Sequence, residues 1–187
     1  MSKLEKYEWE SLWWEEPENK DRTHVLYIGD SISRGTTERL NRIAENLAVD
    51  NFATSKAVDN PAFEKSLAVF ATQNPGYTTV LFNNGLHGYH LSGEEYAQHY
   101  EKLLLKVREL FAGTKLFVLT STYTADGKHE IVEKRNARVE VIAEKHNLPI
   151  VDLYKVSYER DDLICEDKIH FTDNGYVTLA KAILENL

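Results

Sequence analysis

YIGDSIS, residues Tyr27–Ser33, begins as an apolar run and turns polar at Gly29-Asp30-Ser31. The apolar part is typical of a buried strand, and the polar part is typical of a helix start. The serine hydroxyl at this junction has two interpretations. Either Ser31 caps the next helix, or it lies at the end of a sheet strand, where it can react.

Four further apolar runs follow the first one and alternate with stretches of helical periodicity. This alternation predicts an α/β fold, with a parallel sheet and helices on both of its faces. The five predicted strands are His24–Gly29, Ala48–Ala53, Thr78–Asn83, Lys115–Thr120 and Pro149–Tyr154.

The helical stretches carry recognisable start signals and apolar faces. The predicted helices are a first one with Leu40, Ile43, Ala44 and Leu47 on one face, a second opening at Asn60-Pro61, a third opening at the capping box Ser92-Gly93-Glu94-Glu95, a fourth from about His129 to His146 and a fifth from about Asp173 to Leu187.

The composition predicts one soluble domain over residues 1–187. Of the 187 residues, 42% are hydrophobic and 11% are aromatic, which suffices for one sizeable core. The excess of 30 Asp+Glu over 22 Lys+Arg gives a formal charge of −8, which disfavours nucleic acid and anionic membranes as partners. The single cysteine, Cys165, excludes an internal disulfide and a multi-thiolate metal site.

Residues 1–20 form a tryptophan-rich segment ahead of the first predicted strand. We interpret it as a strap whose indoles, Trp9, Trp13 and Trp14, cover the sheet edge or a helix; an aromatic platform for substrate is the alternative. The segment lacks the basic start and apolar stretch of a secretion signal, and nowhere do about 18 apolar residues run together. We therefore expect a cytoplasmic protein.

Three polar groups stand where predicted strands end. Ser31 follows the first strand, Asn83 and Asn84 follow the third, and the segment from Asp167 to His170 follows the fifth. The carboxyl ends of parallel strands meet at one edge of a sheet, and ligands bind at that edge. We therefore expect these groups to lie together.

The pattern Asp-x-x-His occurs twice, as Asp21–His24 and as Asp167–His170. The first copy precedes the first strand, about 20 Å from Ser31 at roughly 3.3 Å per residue, so its position favours the second copy. A serine hydroxyl needs a base to take its proton as it attacks, and histidine suits that task near neutral pH. His170 is therefore the candidate base, and Asp167 is the carboxylate that fixes its tautomer and stabilises the imidazolium.

The tetrahedral intermediate of such a reaction needs hydrogen-bond donors aimed at its oxygen. We expect the side-chain amide of Asn83 and the backbone N–H of Ser31, in the first turn of the following helix, to supply them. The positive end of that helix also favours an oxyanion.

These motifs resemble those of the SGNH, or GDSL, family of esterases and lipases. Gly29–Ser33 resembles the block that carries the nucleophilic serine, and Asp167–Thr172 resembles the block that supplies the aspartate and the histidine. Asn83–Leu86 resembles the block with the oxyanion asparagine, and we align Asn83 to it. In the remaining block, Lys56 stands where the family usually has an oxyanion glycine, and only its backbone N–H is needed there.

The resemblance implies a flavodoxin-like, three-layer α/β/α sandwich with a five-stranded parallel sheet of order 2-1-3-4-5. It also implies a serine hydrolase that cleaves a carboxylic ester, such as a short acyl ester or an acetylated sugar, without a metal or cofactor. Homo-oligomers are common in this fold, and no stripe of the sequence identifies an interface.

Two histidines, His87 and His90, follow the asparagine block and are candidates for walls of the substrate pocket. As metal ligands they lack acidic residues at a suitable spacing.

Two other functions fit part of the sequence. Ser31–Thr37 could form a hydroxyl-rich loop that cradles a phosphate, as in flavin or nucleotide binders of similar topology, but this leaves Asp167 and His170 unused. An acyltransferase would use the same three residues to pass the acyl group to a sugar hydroxyl instead of water.

Overall fold

A six-stranded sheet forms the centre of the computed structural model, which describes residues 4–187. Its strands are β1 (Glu10–Trp13), β2 (Thr23–Gly29), β3 (Leu47–Thr54), β4 (Thr79–Phe82), β5 (Lys115–Leu119) and β6 (Ile150–Val151). The spatial order is β1-β3-β2-β4-β5-β6; β1 is antiparallel to β3 and the other neighbours are parallel. Without β1 this is the predicted order 2-1-3-4-5, so the predicted fold is confirmed. The predicted count of five strands is wrong, because the N-terminal segment adds an antiparallel strand at the edge.

Two layers of helices cover the sheet. The helices are α1 (Ser31–Ile43), α2 (Pro61–Ala71), α3 (Gly93–Leu110), α4 (His129–Lys145), α5 (Leu153–Ser157) and α6 (Asp173–Leu184). Alternate residues of β2 face opposite layers, because side chains alternate along a strand. Leu26 and Ile28 pack with α2, α3 and α4, whereas Val25 and Tyr27 pack with α1, α5 and α6. No helix among residues 4–187 has the length and apolarity needed to cross a membrane.

The helix signals hold with small shifts at the ends. Ser92 and Glu95 form the predicted capping box of α3, with Glu95 N donating to Ser92 Oγ at 3.2 Å. Leu47, predicted on the first helix, begins β3 instead, although it still packs in the same core as Leu40. The predicted last strand is shorter, because Asp152 caps α5 by accepting a hydrogen bond from the N–H of Lys155 at 3.0 Å.

The residues that follow β1 in the N-terminal segment are packed and hydrogen-bonded against the domain. The indole of Trp14 stacks on Phe70 of α2, with ring centroids 5.0 Å apart. The N–H of Glu15 donates to the buried carboxylate of Asp50 at 2.7 Å, and the hydroxyl of Tyr77 donates to the same carboxylate at 2.6 Å. The segment is therefore also held to the domain just beyond the end of β1.

Candidate active site

A cleft of about 620 Å³ opens at the carboxyl edge of the parallel strands. Ser31 enters it from the end of β2, His87 from the loop after β4, and His170 from the turn before α6. Trp9 lines the opposite wall, next to β1. The site thus lies where the topology of the sheet gathers its loops.

The position of Ser31 depends on a tight junction between β2 and α1. Asp30 is the N-cap of α1 and accepts the N–H of Ile32 at 2.8 Å; its other carboxylate oxygen accepts the N–H of Leu86 at 3.0 Å. One carboxylate therefore caps the helix and holds the loop after β4 against it. Gly85 makes this approach possible, because it has a positive φ of 72° and a Cβ there would overlap the Asp30 carboxylate.

Ser31, His170 and Asp167 form a continuous hydrogen-bonded chain. The Nε2 of His170 lies 2.8 Å from Ser31 Oγ, and the Nδ1 lies 2.6 Å from Asp167 Oδ2. When Nδ1–H donates to Asp167, Nε2 is left as the acceptor for the serine hydroxyl. This is the arrangement in which an imidazole can take the proton of a serine as the serine attacks.

A strained turn brings Asp167 and His170 together. Lys168, between them, has a φ of 64°, which is unusual for a residue with a Cβ. The turn is held by the N–H of Cys165, which donates to the carbonyl of His170 at 2.7 Å, and by the N–H of Ala125, which donates to the carbonyl of Lys168 at 2.9 Å. These bonds from two neighbouring segments stabilise the conformation that points the imidazole at Ser31.

The carboxylate of Asp167 is kept ionised by the same turn. Partial burial on its own would raise the pKa, but hydrogen bonds from the N–H groups of Ile169 and His170 and from the His170 ring lower the pKa of Asp167 to about 2. A carboxylate in this state can accept the Nδ1 proton over the whole range near neutral pH.

Two of the predicted oxyanion donors do not line the cleft. The amide of Asn83 donates to the carbonyl of Leu119 on β5 at 2.7 Å, away from Ser31. The N–H of Lys56 donates to Thr54 Oγ1 at 3.1 Å, so it is already used within its own loop. In this structure both donors are bonded within the protein, so their roles as oxyanion donors stay predictions. The side chain of Lys56 instead pairs with Glu10 at 2.9 Å and ties β3 to β1.

The side chain of Asn84 points toward β3, whereas that of Asn83 points toward β5. Its Nδ2 donates to the carbonyl of Lys56 at 3.1 Å. Because β3 and β4 flank β2 in the sheet, this hydrogen bond crosses the end of β2, from which Ser31 follows. Side chains alternate in direction along an extended chain, so the sequence alone does not say which of two consecutive asparagines faces the serine.

The two histidines of the loop after β4 have different surroundings. His87 lines the cleft, and its Nδ1 lies 3.1 Å from Glu5 Oε2 in the N-terminal segment. His90 does not line the cleft, and its Nε2 lies 3.0 Å from Asp59 Oδ2. Among residues 4–187, no group of three or more His, Cys, Asp or Glu is placed to hold a metal ion.

Sequence reasoning missed one contributor to the cleft and gave another only as an alternative. Arg135 of α4 is buried and donates to the carbonyls of His87 and Gly88 at 3.0 and 2.6 Å, which fixes that loop from behind. The N-terminal segment supplies one wall, with Tyr7 and Trp9. The sequence carries no signal for β1, because the segment is too short to reveal a strand by periodicity.

The fold and the hydrogen-bonded chain define an α/β/α protein with a serine, a histidine and an aspartate in contact at the sheet edge. The model of the GDSL-like Lipase/Acylhydrolase family matches residues 27–177. The chain belongs to that family, which confirms the predicted resemblance and supports an ester hydrolase. No protein of curated function matches the sequence.

Solved structures of similar fold include three from bacteria. A lipolytic protein of the G-D-S-L family from Veillonella parvula is 21% identical, with 87% of this chain and 97% of that chain covered and a TM-score of 0.66. The catalytic domain of peptidoglycan O-acetyltransferase A from Streptococcus pneumoniae is 20% identical, with 88% and 92% covered and a TM-score of 0.65. Axe2, an acetylxylan esterase from Geobacillus stearothermophilus, is 17% identical, with 89% and 95% covered and a TM-score of 0.63.

Proposed function

We propose that this protein is a serine esterase that hydrolyses a carboxylic ester through an acyl-enzyme on Ser31. The observation that carries the proposal is the 2.8 Å contact between Ser31 Oγ and His170 Nε2, backed by the contact between His170 and Asp167. These three groups come from distant parts of the sequence and meet inside a cleft. A serine that only capped a helix would have no need of them.

In the first half of the reaction, Ser31 Oγ attacks the carbonyl carbon of the ester while His170 Nε2 takes its proton. The C–O bond to the alcohol then breaks, and His170 returns the proton to the departing alcohol. In the second half, a water attacks the acyl-enzyme and gives its proton to His170. The bond to Ser31 Oγ breaks, the serine regains the proton, and the carboxylic acid leaves. Asp167 stabilises the imidazolium in both halves.

Two donors are available for the oxyanion. The N–H of Ser31 is in the first turn of α1, where backbone N–H groups have no acceptor within the helix. We infer that Asn84 supplies the second donor, because its amide crosses the end of β2 and spends one N–H on Lys56, which leaves the other. Asn83 is unsuited to the role, since its amide is bonded on the far side of β4.

The substrate we propose is a short acyl ester or an acetylated sugar. We also propose that the enzyme acts in the cytoplasm. Polar and aromatic side chains line the cleft together, including Arg34, Tyr89 and Lys128, and this suits a small polar ester better than a long lipid. The names of two proteins of similar fold, the acetylxylan esterase and the peptidoglycan O-acetyltransferase, refer to acetylated polysaccharides. Product analysis with an added acceptor alcohol distinguishes hydrolysis from acyl transfer.

The test combines activity with covalent labelling. Wild type should hydrolyse p-nitrophenyl acetate and react with a fluorophosphonate probe, and Ser31→Ala should lose the label and about 10⁵-fold or more in kcat. Ser92→Ala is the matched control, because Ser92 is an exposed helix cap on α3 outside the cleft. Retained turnover in Ser31→Ala would reject the proposal.

A further inference from the structure

A second cavity, of about 550 Å³, adjoins the cleft and lies between β1 and α1. Two residues, Ser11 of β1 and Arg34 of α1, line both spaces. Arg34 is one helical turn after Ser31, so the shared boundary lies close to the reacting hydroxyl. A substrate that fills the cleft therefore meets the second cavity as soon as it extends past Arg34.

Strand β1 runs along both spaces. Trp9, Ser11 and Trp13 are at alternate positions and face the same side of the sheet. Trp9 lines the cleft, Ser11 lies at the boundary, and Trp13 lines the second cavity. The side chain at this boundary is small, which limits the steric barrier between the two spaces. The strand lies outside residues 27–177, which the family model matches.

Trp13 offers an exposed but oriented aromatic face. The residue is 58% exposed, and its Nε1–H donates to Glu15 Oε2 at 2.9 Å. An indole held in this way presents a large, rigid contact area to a ligand at little cost in side-chain entropy.

Polar groups line the rest of the second cavity. Ser11, Glu38 and Asn41 contribute polar side chains to this lining, and Thr37 and Asn51 are buried behind it. Arg34 forms no ion pair in the described part of the chain, which leaves its guanidinium available for oxygen acceptors. The cavity thus provides both donors and acceptors around one aromatic face.

This lining distinguishes a sugar from an acyl chain. Trp13 is the one large apolar side chain among the residues that line the cavity, and the others are polar or charged. A hydrocarbon chain would remove these groups from water without replacing their hydrogen bonds, which is costly. A sugar ring supplies hydroxyl groups to the polar lining and C–H groups to the indole.

We propose that the second cavity is a binding site for the glycan part of an ester substrate, with the acetyl group at Ser31 and the sugar chain passing Ser11 to reach Trp13. The proposal rests on the proposed function, because it assigns the alcohol side of the same ester. It assigns to the N-terminal strand the role of determining which alcohol is accepted.

The kinetic test compares two substrates. Trp13→Ala should lower kcat/KM for acetylated xylotetraose at least about tenfold more than for p-nitrophenyl acetate, with the loss mainly in KM. Trp13→Phe keeps an aromatic face and should recover most of the discrimination. Tyr158→Ala removes an exposed aromatic residue that lines neither the cleft nor the second cavity and serves as the control. Equal losses on both substrates, or a Trp13→Ala defect that grows with acyl length in p-nitrophenyl esters, would overturn the proposal.

Calorimetry separates this proposal from the esterase activity. Ser31→Ala should bind xylotetraose or tetra-N-acetylchitotetraose, and adding Trp13→Ala should weaken that binding about tenfold. This binding does not depend on turnover, so it would persist even if the esterase proposal failed. Absence of binding for both tetrasaccharides at millimolar concentration, in a protein whose thermal unfolding matches wild type, would reject the glycan site.

Discussion

The two Asp-x-x-His segments have the same spacing, but their histidines form different hydrogen bonds. In Asp167–His170 the aspartate bonds the imidazole at 2.6 Å and the imidazole bonds Ser31. In Asp21–His24 the imidazole is buried, at 4% exposure; its Nε2 bonds the carbonyl of Asn19 at 2.9 Å, and its Nδ1 has no partner within residues 4–187. In Asp167–His170 the imidazole is placed to act as a base, whereas His24 is a buried structural histidine.

Backbone conformation explains the difference. His24 belongs to β2, where the extended chain carries it away from Asp21. His170 follows a tight turn in which Lys168 has a φ of 64°, and this turn folds the fourth residue back onto the first. The backbone conformation of the segment, and not the spacing of its residues, therefore decides whether the aspartate contacts the histidine.

A matched substitution in both histidines tests this difference most directly. His170→Gln should lower kcat for p-nitrophenyl acetate by about 10⁵-fold, because Ser31 loses its base. His24→Gln should leave kcat/KM within about twofold of wild type and lower Tm by a few degrees, because it disturbs a buried, hydrogen-bonded side chain. Comparable catalytic losses in the two variants would mean that the choice between the segments is wrong.

The aspartates give a smaller contrast. Asp167→Asn should lower kcat by about 10³-fold, since the imidazolium loses its counter-charge and the tautomer is no longer fixed. The loss should stay below that of His170→Gln, because the Asp167 carboxylate is half-exposed and its field is partly screened by solvent. Asp21→Asn, in the exposed first residue of the other segment, is the control and should retain wild-type kcat. Steady-state kinetics on one ester suffices for this comparison.

The consecutive asparagines extend the same question to the oxyanion. Asn84→Ala should lower kcat by about 10²-fold with little change in KM, because a donor to the transition state is lost. Asn83→Ala should act mainly on stability, since it removes a bond between β4 and β5. The reverse pattern would restore the assignment made from the sequence.

These residues show how far the sequence determined the molecule. The α/β class and the meeting of Ser31, Asp167 and His170 at one edge follow from βα alternation and from sheet topology, which local patterns reveal. The strand order was predicted from the family resemblance and not from these patterns. The direction of Asn83, the use of the Lys56 N–H and the antiparallel β1 depend on contacts between distant segments. Such contacts leave no periodic signal, so the oxyanion donors and the N-terminal wall became visible only in three dimensions.

The smallest effect concerns pH and tests the turn directly. The pKa of Asp167 is lowered from 3.8 to about 2 in the folded protein, so the unfolded chain takes up this proton first as the pH falls. The extra unfolding free energy of wild type over Asp167→Asn should therefore be fully present above 3.8 and should be lost as the pH falls through about 2. Urea unfolding at about pH 5 and about pH 3 measures this change. In a His170→Gln background the change should shrink, because one of the groups that lower the pKa is gone. A stability difference that is independent of pH would show that the turn does not hold the carboxylate in its ionised form, and the distinction between the two Asp-x-x-His segments would lose its electrostatic basis.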